Sequence, residues 1–308
     1  MYESFFGLSG NPFSLLPDAN FLYLSKRHNH VLNLLEYGSL THSGFMVITG
    51  DVGAGKTTVI RHFMRDLPGE ITVGLITNPS KGLGSLLAWI TKTFEIEGLG
   101  RDDASMYHAF IAFLVDEYAK DRRVVIIIDE AQNLPSDMLE ELRMLSNVNN
   151  ESDQLLQIVL VGQPELLATL KRPDLRQFVQ RISAHCNLTA LDAYETAAYI
   201  RYRLGVVGGS DAIFDDIACA AAYFFTFGVP RLINMLCDQA LMYAFAEDEK
   251  FVTFYTVLEV VNDRSTSGLT AFRAVANDQP QDDLLQELET ILDQIRTVRA
   301  DPELAYSN

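Results

Sequence analysis

Gly50-Asp51-Val52-Gly53-Ala54-Gly55-Lys56-Thr57 fits the pattern G-x-x-x-x-G-K-[ST] at every fixed position. Glycines let the backbone curl so that successive N–H groups point at phosphate oxygens. The lysine adds a point charge, and the threonine hydroxyl is suited to a Mg²⁺ ion. Upstream, residues 44–49 (Gly-Phe-Met-Val-Ile-Thr) read as a short buried strand. Downstream, Ile60, Phe63, Met64 and Leu67 fall at helical spacing within residues 58–67. A strand, a glycine-rich loop and a helix in this order predict a nucleoside triphosphate site. Gly50, Asp51, Gly53, Ala54, Gly55, Lys56, Thr57 and Thr58 are its expected nucleotide contacts.

Two carboxylates turn binding toward chemistry. Val124-Val125-Ile126-Ile127-Ile128 is a β-branched run, as a strand buried on both faces requires, and Asp129-Glu130 follow where it ends. Asp129 is placed to hold Mg²⁺ together with Thr57, and Glu130 to polarise the water that attacks the γ-phosphate. Further strands are expected at residues 71–77, 155–161 and 184–188, making five, with helices between them at 83–94, 107–120 and 135–146. Alternation of this kind predicts an α/β fold, a doubly wound five-stranded parallel sheet with its ligand across the carboxyl ends of the strands. Gln163 lies just beyond the fourth strand, within reach of a γ-phosphate.

The chain of 308 residues has room for this domain and a smaller second one. Its apolar fraction of 48% and charged fraction of 21% are those of a globular protein. No basic and apolar leader opens it, and the longest uncharged apolar stretch, residues 217–229, is short of the ~20 residues a spanning helix needs. The expected location is therefore the cytoplasm, with attachment at the inner membrane only through a partner. Cys186, Cys219 and Cys237 have no metal or disulfide spacing and read as buried thiols. The net charge is −17, of which −6 belongs to residues 278–308. An acidic total disfavours a nucleic acid partner, since a phosphate backbone is held by Lys and Arg.

Residues 1–25 are aromatic and turn-rich, with Phe5, Phe6, Phe13, Phe21 and Tyr23, and read as an N-terminal segment packing by the nucleotide or on the domain edge. A helix with Val31, Leu32, Leu34 and Leu35 on its apolar face follows to Tyr37; His28 and His30 on it read as polar surface or nucleotide-adjacent groups. Residues 26–190 form the expected α/β core. The stretch 171–182 is the most basic of the chain; its Arg172, Arg176 and Arg181 suit either a solvated face or a guanidinium lent to a neighbouring subunit's γ-phosphate. Residues 191–276 read as a helical lid, with helices at 192–204, 211–225 and 230–246, the last opened by Gly228-Val229-Pro230-Arg231. Beyond a turn-rich hinge at 277–281, Leu284, Leu288, Ile291, Ile295 and Val298 mark a short C-terminal helix, too short to stand alone, that docks on this chain, another copy or a partner.

Taken together, these motifs resemble an AAA+ ATPase. Phe6-Gly7-Leu8, Asn11-Pro12-Phe13, the Asp129-Glu130-Ala131-Gln132 box, Gly162-Gln163-Pro164, Gln180-Arg181-Ile182 and Gly228-Val229-Pro230-Arg231 look more narrowly like its ExeA/MshM branch. Members of that branch serve type II secretion, pili and exosortase-linked export, and the TnsC/TniB transposition regulators are relatives. The resemblance implies ATP and Mg²⁺, Lys56 on the β and γ phosphates, Glu130 as base, Gln163 as first sensor, Arg181 as trans-acting finger and Arg231 as second sensor. It implies a homo-oligomeric ring or filament and a protein partner in a secretion or pilus system. The secretion members often continue into a transmembrane segment and a peptidoglycan-binding region; neither is expected from this sequence, so a direct role at the cell wall is not the expectation. The expectation is an ATPase that assembles or remodels such an apparatus. Competing with it are a DNA-binding regulator of transposition targets and a nucleotide-gated scaffold with little hydrolysis.

Overall fold

The computed structural model describes residues 1–16, 21–41, 44–67, 69–79, 84–96, 102–149, 155–268, 271–273 and 281–301. The four residues 277–280 of the expected hinge lie outside these. The chain divides into two compact units: residues 26–52 with 56–189, and residues 1–25 with 53–55 and 190–308.

The segment read from sequence as turns alone opens with one helical turn, α1 (Tyr2–Phe5). The α/β unit follows as α2 (Lys26–Thr41), β1 (Phe45–Gly50), α3 (Lys56–Arg65), β2 (Ile71–Thr77), α4 (Leu86–Thr93), α5 (Asp103–Ala119), β3 (Arg123–Asp129) and α6 (Ser136–Leu145). It continues with β4 (Leu156–Gly162), α7 (Glu165–Leu170), α8 (Arg176–Val179) and β5 (Ile182–Leu188). The strands form one parallel sheet in the order β2-β3-β4-β1-β5, as the alternation of strands and helices predicts. The central strands β1 and β4 are buried along their whole length and β3 all but its first residue, whereas the edge strand β5 alternates, with Ser183, His185 and Asn187 exposed. Gly74 on β2 has a packing reason: a Cβ there would stand 2.6 Å from the Phe94 ring and 2.8 Å from Thr93, so only glycine lets the end of α4 approach.

Side-chain caps set the starts of α4 and α5. Ser85 accepts from the Ala88 N–H ahead of α4, and Asp102 from the Ser105 N–H ahead of α5. Each such cap stabilises its helix by ~1 kcal/mol.

The second unit is helical: α9 (Ala193–Val206), α10 (Asp216–Thr226), α11 (Pro230–Ala246), α12 (Phe254–Thr266) and α13 (Gln281–Ala300). Asp192 with Glu195, and Thr253 with Thr256, form capping boxes at α9 and α12. The spacing of residues 254–266 did not single out α12, whose buried positions are Thr256, Val257, Val260 and Val261. Tyr2, Leu8 and Phe13 of the N-terminal segment are buried in this unit's core. Helix α13 docks on α9 and α10 of its own chain. Its seam is Leu284, Leu288, Leu292 and Ile295, with Ile291 half-buried, so Leu292 takes the place expected of Ile291. A straight helix turns every 3.6 residues and drifts away from a heptad stripe, which accounts for the change. Each of these buried side chains contributes ~1.5–3 kcal/mol.

Candidate functional site

The loop from β1 to α3 has the backbone its sequence demands. Gly53 and Gly55 sit in the left-handed region at φ 82° and 98°. A Cβ on Gly50 would stand 2.4 Å from the Leu188 carbonyl, so glycine is needed where β1 and β5 close on each other. Lys56 is 7% exposed and folds back, its Nζ donating to the carbonyls of Gly50 at 2.7 Å and Asp51 at 3.0 Å. Burial lowers its pKa, opposed by the charges of Glu130, Asp129, Asp51 and Glu165. An ammonium folded onto two loop carbonyls offers its charge to an anion. Ala54 is buried beside it, Thr58 is half-buried, and Gly53 accepts from the Arg231 backbone N–H at 3.3 Å.

At the carboxyl end of β3, Thr57 Oγ1 donates to Asp129 Oδ2 at 2.7 Å. A hydroxyl and a carboxylate at that separation are hard oxygen donors of the kind Mg²⁺ takes when phosphates and water complete its shell. No group of three or more His, Cys, Asp or Glu is arranged for a metal among the described residues.

Glu130 adopts a left-handed backbone, φ 57°, directly after β3. Its own N–H donates to Asp129 Oδ1 at 2.9 Å. Oε2 of Glu130 accepts from Gln132 Nε2 at 2.5 Å and from Gln163 Nε2 at 3.2 Å, while Gln132 Oε1 accepts from the Gln163 N–H at 3.0 Å. A Cβ on Gly162 would be 2.9 Å from Gln132 Oε1, so that glycine makes room for the bridge. Oε1 of Glu130 has no hydrogen-bond partner among the described residues.

Sequence reasoning quoted Gln132 only as part of a box and missed its position between Glu130 and Gln163. The signal was an amide two residues past the strand end. It likewise passed over Asn78, left-handed at φ 52° after β2, whose Oδ1 accepts from Asn133 Nδ2 at 3.3 Å.

The arginines separate. Arg181 is committed within its own unit: Nη1 donates to the Arg143 carbonyl at 3.1 Å and to Ser146 Oγ, and Nη2 to Asn147 Oδ1 at 2.6 Å. It closes the C-terminal turn of α6, where a cation meets unpaired carbonyls. Arg172 pairs with Asp174. Arg176 is exposed and has no side-chain partner among the described residues. Arg231, the second residue of α11, is exposed as well. Of the two helix histidines, His28 is buried and His30 exposed.

Residues 40–170 match the family of AAA domains. The sheet order and the loop agree with an AAA-type P-loop fold over that segment. The chain is similar to "General secretion pathway protein A" of Aeromonas hydrophila, 43% identical over 249 residues, which is 80% of this chain and 45% of the relative. A weaker match, 28% over 142 residues, covers 46% of this chain and 45% of the "Mu-like prophage FluMu DNA transposition protein B" of Haemophilus influenzae. The chain thus spans about half the length of the curated relatives it matches, 45% of each. Among solved structures, the Aeropyrum pernix ORC2 protein aligns at TM-score 0.61 and 14% identity over 86% of this chain and 72% of its own. The Cdc6p of Pyrobaculum aerophilum aligns at 0.58 and 17%, over 80% and 71%. These structures bear on the fold. No helix among the described residues is long and apolar enough to cross a membrane.

Proposed function

We propose that the chain binds ATP with Mg²⁺, hydrolyses it, and uses the cycle as a homo-oligomer to assemble or remodel a secretion, pilus or surface-export apparatus. The observation that carries hydrolysis is Glu130: one carboxylate oxygen is fixed by Gln132 and Gln163, and the other has no partner among the described residues. In this reading the Lys56 ammonium leaves its loop carbonyls for the β and γ phosphates. Thr57 and Asp129 would hold Mg²⁺, which supplies charge to the phosphate oxygens. Glu130 Oε1 orients a water and takes its proton as the water oxygen bonds to the γ-phosphorus and the bond to the β-bridging oxygen breaks, giving ADP and phosphate. Gln163 couples that carboxylate to the end of β4, and Arg231 reports the phosphate state from α11.

Glu130→Gln should keep ATP bound in a filter assay while turnover falls by about 10²–10⁴-fold; undiminished hydrolysis would refute the assignment. For a site completed by a neighbour, the free Arg176 is favoured over Arg181, whose donors are engaged. Turnover per subunit should then rise with protein concentration, and Arg176→Ala should remove that rise.

The export role draws on the relative from Aeromonas, the transposition role on the relative from Haemophilus and on exposed Lys171, Arg172 and Arg176. DNA that stimulates the ATPase, with binding that falls steeply with salt, selects the second role; no binding at low salt removes it.

A further inference from the structure

The turn that launches α11 is unusually dependent on its surroundings. Helix α10 ends with Phe227 at φ 52° and Gly228 at φ 71°, two left-handed residues in succession, before Val229 and Pro230 start the helix that carries Arg231. Within the turn the Val229 N–H donates to the Thr226 carbonyl at 3.0 Å, and the Leu191 N–H to the Gly228 carbonyl at 2.9 Å.

Residues 271–273 form a strap over this turn. Phe272 is buried in the helical core, with the Arg264 guanidinium 5.7 Å from its ring. The Arg273 N–H donates to the Phe225 carbonyl at 2.9 Å, at the end of α10 where carbonyls lack helical partners. Its guanidinium stacks 4.0 Å over the Phe224 ring and stands 5.9 Å from that of Phe227. The same guanidinium pairs with Glu287 of α13 at 3.3 Å. One side chain therefore touches the last turn of α10, the left-handed corner and the tail helix. The nucleotide reading gives it no part.

We propose that Arg273 is a positioning residue for Arg231, tying the tail helix α13 to the turn from which α11 starts. The consequence is that the docking of the acidic tail, or its removal by a partner, alters the order of that turn and with it the response to nucleotide. The link to nucleotide rests on the reading of Arg231 as a phosphate sensor; the ordering of the turn does not.

The test is amide hydrogen exchange on the full chain for Arg273→Ala, Arg273→Lys and Glu287→Gln. Arg273→Ala should speed exchange at Leu191, Val229, Leu232 and Ile233 by about tenfold, leaving the centres of α9 and α12 protected. Glu287→Gln should give a smaller rise of about twofold, since an exposed pair holds weakly. Arg273→Lys keeps the charge facing Glu287 but loses the planar stack, and should fall between them. Unchanged exchange at those four amides in Arg273→Ala, or an equal rise throughout the helical unit, overturns the proposal.

Steady-state kinetics separates it from the reading beneath it. Arg231→Ala should raise KM for ATP, Arg273→Ala should raise KM by about threefold with kcat held, and the two changes combined should not multiply. If Arg231→Ala leaves KM and kcat as they were, the sensor reading falls while the exchange result still decides the role of Arg273.

Discussion

Glu130 and Phe227 both close their elements in the left-handed backbone region, at φ 57° after β3 and 52° after α10, and the two corners are held in opposite ways. At Glu130 the side chain and its own N–H are tied by Asp129, Gln132 and Gln163. At Phe227 the side chain is 57% exposed and the corner is held by backbone bonds, Gly228 and the Arg273 strap. Such a conformation costs ~1–3 kcal/mol for a residue with a Cβ. Where the surrounding side chains grip the strained residue, its carboxylate is delivered to a fixed place. Where the grip is mainly on the backbone, as at Phe227, the geometry the corner imposes on the next helix is what matters.

The largest test of that contrast is Gly228→Ala. A Cβ there would stand 1.8 Å from the Leu191 carbonyl oxygen at a φ of 71°, so the corner cannot absorb it. Thermal melting should record a loss of about 3 kcal/mol or more, or failure to fold; a variant that melts with the parent would mean the turn is not as tight as described. Next is Gln132→Ala, which removes the bridge from Glu130 to Gln163. Turnover should fall about tenfold at unchanged ATP affinity, measured by single-turnover kinetics, and an unaffected rate would show that the carboxylate needs no bracing. Phe227→Gly should go the other way, stabilising the helical unit by about 0.5–1 kcal/mol in urea melts, because glycine accepts this corner without cost. The same change at Glu130 should relieve similar strain and yet abolish hydrolysis. The smallest effect concerns the core behind the second corner. Burial pushes the Cys219 thiol up to about 12 and that of Cys237 well above its usual range. Near neutral pH neither is a thiolate, and Ellman's reagent followed by peptide mapping should find neither fast-reacting in the native protein; rapid labelling of either would mean the helical core breathes.

Much of the sheet was legible because burial on both faces leaves a direct mark. Residues 155–161 read as a strand and β4, buried throughout, covers 156–162, and the β-branched run ending at Asp129 specifies β3. Helix α11 was legible from proline at its first position, and α13 from its apolar stripe. Helix α12 was not, because only part of one face is buried and its start depends on Thr253 meeting Thr256. In the candidate site, the loop and the Asp129-Glu130 pair are each written within a short segment of their own. The Gln132 bridge, Asn78 and the Arg273 strap depend on segments distant in sequence, and no local period encodes such meetings. Arginine spacing could not separate Arg176 from Arg181, since what distinguishes them is whether Ser146 and Asn147 lie beside the guanidinium.

The helical unit is assembled from both ends of the chain. Tyr2, Leu8 and Phe13 share a core with Leu284 and Ile295, while residues 26–189 belong, apart from 53–55, to the other unit. During synthesis residues 1–25 emerge before the helices that cover them, and at the usual pace the roughly 165 intervening residues separate the two by about ten to thirty seconds. For that interval Tyr2, Leu8 and Phe13 lack their native cover, so nascent chains of this protein should bind a holding chaperone until the helices beyond residue 190 begin to emerge.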